Sequence, residues 1–159
     1  MEEVLKLLEQ DARLSPQEIA ALTGKDVKEI ERIIKECEEK KIIRRYKAVI
    51  DWEKAGKERV FAFIDIKVIP SRDVGFDEIA KRIYRFPEVH SVYLVSGRSD
   101  LKIVVEGKNL KEVALFVANK LATIEGVTST ETHFLLKKYK DDREIFVEEK
   151  PNKRLAVSP

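Results

Sequence analysis

The chain has 159 residues, a formal net charge of +2, 38 % charged residues, one cysteine and two histidines. A single cysteine excludes an intrachain disulfide, and with two histidines it leaves a structural zinc site short of ligands unless carboxylates or a second chain contribute. The near balance of charge means that any attraction to nucleic acid has to come from local clustering, and no apolar run approaches a membrane span. The N-terminus is charged and lacks the apolar core of a signal peptide, so the chain reads as a soluble cytoplasmic protein. The charge content, with one Met and one Trp, fits a thermophilic source.

Val4, Leu5, Leu8 and Ala12 recur at helical spacing and predict a first helix over residues 2–11. Ser15, Pro16 and Glu18 predict the start of a second: the serine oxygen caps an early N–H, proline suits the first helical position, and the glutamate closes a capping box. Its apolar positions Ile19, Ala20 and Leu22 run out at Thr23-Gly24, where glycine ends a helix. Asp26 caps a third, whose apolar face is Val27, Ile30, Ile33, Ile34 and Cys37. Two helices joined by a short glycine-bearing turn form a helix-turn-helix pattern, with the later helix offered to a DNA major groove. From Ile42 to Ile50, β-branched residues mixed with a basic cluster predict a small β wing.

Candidate DNA contacts are Lys28, Arg32 and Lys35 on that helix, Arg44, Arg45 and Lys47 on the wing, and Ser15 and Gln17 at the start of the second helix. Each lysine or arginine also has a plain alternative as a solvated charge or an i,i+4 partner, such as Glu31 with Lys35 or Arg32 with Glu36. Asp26 and Glu29 oppose phosphate at the head of the helix; Asp26 can be satisfied as the cap, with Glu29 reaching back to its backbone. Cys37 falls on the apolar face and reads as packing rather than as a redox switch.

Residues 51–59 form a polar linker whose only large apolar group, Trp52, packs it onto a domain. A second domain spans residues 60–138. Val60–Val68 reads as a strand with Phe61, Phe63, Asp65 and Lys67 on one face and Ala62, Ile64 and Ile66 on the other. A turn at Pro70–Asp73 ends it. Phe76, Ile79, Ala80, Ile83 and Tyr84 give a helix that stops at Phe86-Pro87. Strands follow over 89–96 and 101–105, joined by the turn Gly97-Arg98-Ser99-Asp100. Asn109 and Glu112 cap a further helix with Leu110, Val113, Ala114, Val117 and Leu121 inward, and Val127–Leu136 is the last strand. The order β-α-β-β-α-β is the ferredoxin-like arrangement, so the fold class is α+β. Helices on one face leave the other bare, and Phe61 and Phe63 there predict burial against a second subunit. Residues 139–159 hold one more short strand at Ile145–Val147 and a loose end.

In both halves the chain resembles the Lrp/AsnC (feast/famine) family of transcription regulators over roughly residues 1–138. The resemblance rests on L-L-E-Q-D-A-R-L-S-P-Q-E-I-A at 7–20, Glu31-Arg32, K-K-I-I-R-R-Y-K-A-V-I-D at 40–51, G-R-S-D at 97–100 and G-V-T-S-T-E-T at 126–132. It implies a winged helix-turn-helix joined to a RAM-type ferredoxin-like domain that dimerises and assembles further, often to octamers. It also implies a small effector, commonly an amino acid, held between subunits by positions matching Gly97, Arg98, Ser99, Asp100, Thr130 and Thr132. The chemistry agrees: free N–H groups at a glycine turn suit a carboxylate, Asp100 an α-ammonium, and the threonine hydroxyls either. Local turn bonding by Asp100 and ordinary strand threonines are the alternative. Ser99 departs from the bulky residue many members carry there, and Arg98 adds a charge.

The resulting expectation is a sequence-specific DNA-binding regulator with no catalytic residue, metal or cofactor. Two rivals stand beside it. One is a sensing or assembly protein without specific DNA binding, favoured by the acidic recognition helix. The other is a siroheme-decarboxylase-like enzyme, for which His90 and His133 are the only histidines available.

Overall fold

The computed structural model describes residues 1–69 and 75–148, so the turn expected at Pro70–Asp73 and the tail from residue 149 lie outside the described residues. The chain divides into two compact units, Met1–Ile50 and the part from Asp51 onward.

The first unit is built from α1 (Glu2–Gln10), α2 (Pro16–Thr23) and α3 (Val27–Glu39). Val4 and Leu8 of α1, Ile19 and Ala20 of α2, and Ile30, Ile33 and Cys37 of α3 form one buried core. Leu22, expected among the apolar positions of α2, is 63 % exposed. It lies away from the Ile19–Ala20 face, and those two residues already fill the contact. Ser15 Oγ accepts from Glu18 N while Glu18 Oε2 accepts from Ser15 N at 2.7 Å, a complete capping box. Gly24, in the left-handed region at φ 68°, ends α2 and makes the turn into α3.

Cys37 is fully buried, as its place on the apolar stripe requires. α3 ends in a Schellman arrangement, Ile42 N donating to Cys37 O and Lys41 N to Glu38 O, with Lys41 at φ 55° where glycine is usual. The expected β wing is corrected in one respect: Ile42–Ile50 contains no strand. No other segment of this unit is a strand, so residues 42–50 have no partner strand to pair with and run as an irregular arm.

The second unit is a four-stranded antiparallel sheet in the order β2-β3-β1-β4: β1 (Val60–Val68), β2 (Val89–Leu94), β3 (Leu101–Gly107) and β4 (Val127–Phe134). Strand alternation puts Ala62, Ile64, Ile66 and Val68 of β1, with Leu101, Ile103 and Val105 of β3, beneath α4 (Phe76–Ile83) and α5 (Leu110–Phe116). β2 and β4 both end two residues before the expected limits, and Leu136 is 94 % exposed.

The inward set of the last helix also needs correction. Leu110 and Ala114 are exposed, and the buried residues are Val113, Phe116 and Leu121. α5 passes into a π turn over Val117–Leu121, marked by Ala122 N donating to Val117 O. The extra residue per turn moves the apolar stripe off the 3.6-residue period on which the expectation rested. The turn brings Lys120 onto the Glu88 carboxylate and over the Phe86 and Phe116 rings. A two-residue hairpin closes the described chain, β5 (Lys140–Asp141) pairing β6 (Glu144–Ile145), so the expected strand at Ile145–Val147 begins one residue earlier and ends at Ile145.

Candidate nucleic-acid interface and effector site

On α3 the side opposite Ile30, Ile33 and Cys37 carries Lys28, Arg32 and Lys35, one ridge at i, i+4 and i+7, and all three are exposed. Acidic residues line both flanks, Glu29 and Glu36 on one and Glu31 and Glu38 on the other. With five glutamates against three cations the helix is net acidic, and basic only along its outermost line. The expected i,i+4 partners are corrected: Lys35 lies 3.9 Å from Glu39, and Glu36 pairs with Lys40, whose ammonium holds the Glu36 carboxyl below its usual value. Among the described residues Lys28 and Arg32 have no ion-pair partner within 4 Å, which leaves the front of the ridge unneutralised. Asp26 Oδ1 caps the helix by accepting from Lys28 N at 2.9 Å, but Glu29 does not close the reciprocal bond.

The arm after α3 is tied back to it. Tyr46 Oη donates to Glu38 Oε1 at 2.9 Å, and Ile42 N and Ile43 N both donate to Cys37 O. Burial, assisted by the bond to Glu38, pushes the Tyr46 phenol above its ordinary value, so it stays a donor at neutral pH. The exposed Arg44 and Arg45 are thus held beside the C-terminal end of the ridge, with Lys47 exposed just beyond. Gln17 is exposed on the first turn of α2, whereas the Ser15 hydroxyl is engaged in its capping box. The sequence signal for the tether was weak, since a tyrosine after two arginines does not name its partner.

In the second unit the four loop positions behave differently. Gly97 sits at φ 127°, accessible to glycine, and it and Arg98 are exposed. Ser99 Oγ is 3.4 Å from Asp65 Oδ1. The β1–β3 ladder ends at Ile66 with Leu101; one step further Asp100 N donates to Ile66 O, and Asp100 Oδ2 accepts from Val68 N at 2.8 Å. The Asp100 side chain therefore prolongs the ladder past the end of β3, the local role that turn chemistry offers. One carboxylate oxygen is engaged in this way.

Thr130 and Thr132 pair with Ile66 and Ile64 across the other edge of β1, on the helix-covered side, and are half-buried. β1 thus stands between the loop and the threonines, roughly 10 Å apart by two strand spacings. A single chain does not bring the two sets together.

The helix-free face of the sheet presents Phe63, 39 % exposed, beside Tyr93 and Val104, and a charged cluster that sequence reasoning did not single out. Lys102 Nζ is 2.9 Å from Asp65 Oδ1 and His133 Nε2 is 3.6 Å from Asp65 Oδ2. The Lys102 hydrogen bond, aided by the charges of Lys102 and His133, holds the Asp65 carboxyl below its usual value. Asp65, Glu131 and His133 each bring a ligand-type atom within 4.8 Å of the others. Strand alternation and the register Asp65–Glu131 contained this signal, but only once pairing was known. His90 lies on β2, against the Phe61 ring. It and His133 sit on opposite edge strands.

Comparison with known proteins follows the same division. Residues 2–44 match the winged helix-turn-helix DNA-binding family and residues 61–145 the Lrp/AsnC ligand binding domain. Over 158 residues the chain is 49 % identical to the uncharacterised HTH-type transcriptional regulator YugG of Bacillus subtilis, covering 99 % of this chain and 95 % of that protein. It is 30 % identical over 142 residues to the HTH-type transcriptional regulator FL11 of Pyrococcus furiosus, covering 89 % and 91 %. Among solved structures, a transcriptional regulator of Neisseria meningitidis in complex with L-Met shares the fold at a TM-score of 0.72 and 24 % identity, covering 87 % and 89 %. So does a feast or famine regulatory protein from M. tuberculosis complexed with L-methionine, at 0.74 and 22 %, covering 90 % and 94 %.

Proposed function

Because the chain belongs to the Lrp/AsnC family of HTH-type transcriptional regulators, we propose that it docks α3 in the DNA major groove and answers to an α-amino acid held by its second unit. The observation that carries the DNA half is the ridge of Lys28, Arg32 and Lys35 on α3, continued by the tethered Arg44 and Arg45 with Lys47 beyond. Ridge residues reach base edges and phosphates, the arm arginines take phosphates, and Gln17 with the backbone at Ser15 adds contacts from α2. The flanking carboxylates keep affinity per protomer modest, so assembly raises it through avidity.

The effector half is supported by the L-methionine complexes of two structural neighbours and by the loop chemistry. Gly97 and Arg98 receive the effector carboxylate, with Ser99 and the remaining oxygen of Asp100 as hydrogen-bond partners. Thr130 and Thr132 come from a different subunit, because β1 separates them from the loop within one chain. The helix-free sheet face forms the dimer, and dimers assemble further, up to an octamer. The linker over residues 51–59, with Arg59 stacked 4.1 Å over the Trp52 ring, connects the two domains. The protein works in the cytoplasm and has no catalytic step.

Selection from a random duplex library at moderate salt tests the reading. A near-palindromic motif with half-sites one helical turn apart is expected, and Arg45→Ala should lower the slope of log affinity against log salt by about one unit. The twenty amino acids are then titrated against the motif, and no response in occupancy or assembly would refute the effector half. Absence of enrichment would favour a sensing protein without specific DNA binding. A Soret shift on adding siroheme would favour the enzyme reading.

A further inference from the structure

We infer that Glu29 is a specificity-determining residue that selects a cytosine in the operator half-site by accepting a hydrogen bond from its N4 amino group. The inference rests on the reading of α3 as the recognition helix and deepens it. Glu29 stands in the first turn of α3, the part of a recognition helix that reaches base edges, and it is exposed beside Lys28 and one turn from Arg32.

Its structural uses are not taken up. The equivalent residue of α2, Glu18, closes a capping box by accepting from Ser15 N, whereas α3 is capped by Asp26 alone, through Lys28 N. Of the other carboxylates of α3, Glu36 is engaged with Lys40, Glu38 with Tyr46 and Glu39 with Lys35. Glu31 is exposed and without a partner among the described residues, but it lies past the first turn on the opposite flank. Among the described residues Glu29 makes no hydrogen bond or ion pair. A carboxylate in the first turn does favour the helix dipole, but that role is blind to DNA sequence.

Brought into a major groove between two phosphate backbones, an unpaired carboxylate is repelled unless it meets a donor. Guanine offers O6 and N7 and thymine O4, all acceptors, so both are rejected. Adenine has a donor at N6, but its N7 acceptor lies alongside. Cytosine offers N4–H with only C5–H beside it, and is the one base edge there that a carboxylate meets without an opposing lone pair. Selection thus works largely by exclusion, with Lys28 and Arg32 supplying the attraction that brings Glu29 to the base.

The test is parallel selection from one random duplex library with the full chain, its Glu29→Gln and Glu29→Ala variants, and Arg45→Ala. Glu29 is exposed and makes no hydrogen bond or ion pair among the described residues, so the variants keep the helical unit. The unaltered chain should show one half-site column where cytosine is preferred by about tenfold or more. Glu29→Gln should move that column to adenine, Glu29→Ala should flatten it to within about twofold, and Arg45→Ala should leave it unchanged while weakening binding throughout. The proposal is overturned if both Glu29 variants retain the cytosine column, or if the unaltered chain shows a motif without one. If no protein in the set enriches any motif, the recognition-helix reading itself falls.

Discussion

Replacing Asp100 by alanine separates the two roles that meet at this side chain. Val68 is 6 % exposed, and its N–H points toward the β3 edge of β1, beyond the last ladder pair, where Asp100 Oδ2 is its acceptor at 2.8 Å. A hydrogen bond to a charged acceptor contributes about 1.5–3 kcal/mol net, and a buried N–H left without a partner costs a similar amount. Asp100 is itself half-exposed, so water partly replaces it and the loss for Asp100→Ala should be about 2 kcal/mol. For a unit of this size that corresponds to roughly 10 °C in Tm. Asp100→Asn keeps an acceptor oxygen without the charge and should lose about 1 kcal/mol or less. Thermal unfolding of the full chain at pH 7, followed by circular dichroism at fixed protomer concentration without added amino acid, measures both. The same proteins titrated calorimetrically with the effector complete the experiment. Asp100→Asn should recover stability but lose effector affinity about tenfold or more if the carboxylate also meets an α-ammonium. Unfolding of Asp100→Ala within 2 °C or so of the unaltered chain would refute the ladder-extension argument.

Lys41→Gly should stabilise the first unit by about 1 kcal/mol, because the Schellman turn holds Lys41 at φ 55° where only glycine avoids the Cβ penalty; an unchanged urea midpoint would count against it. Tyr46→Phe removes the tether to Glu38 and should weaken operator binding several-fold with little change in stability, since the arm arginines then lose their fixed position; fluorescence anisotropy reads the difference. The Asp65 carboxyl titrates below its ordinary 3.8, so its pairing adds stability that is fully present above that value and disappears as pH falls through the lower, folded-state one. Lys102→Met should therefore flatten this part of the acid limb of the stability curve, while the effect near pH 7 stays small because the pair is partly exposed. An acid limb identical with and without Lys102 would exclude that pairing.

What the sequence by itself determined was local or strictly periodic. The capping box of Ser15 and Glu18, the Asp26 cap, the left-handed Gly24 and the buried stripe of α3 follow from interactions within a few residues, which composition and spacing encode directly. The faces of β1 were equally plain, because a period of two leaves no freedom once the strand is recognised. Three features required the tertiary structure. The π turn at Val117–Leu121 shifted the apolar stripe of α5 to Phe116, since a change of helical pitch is set by what the helix packs against. The arm over 42–50 stayed out of any strand because a strand needs a partner, and pairing is a property of two segments. The site residues divided for the same reason: strand order places β1 between the Gly97–Asp100 loop and Thr130 with Thr132, and ends the ladder where Asp100 must complete it. Single-chain spacing carries no information about which strand lies next to which, so contacts across the sheet were decided only by the fold.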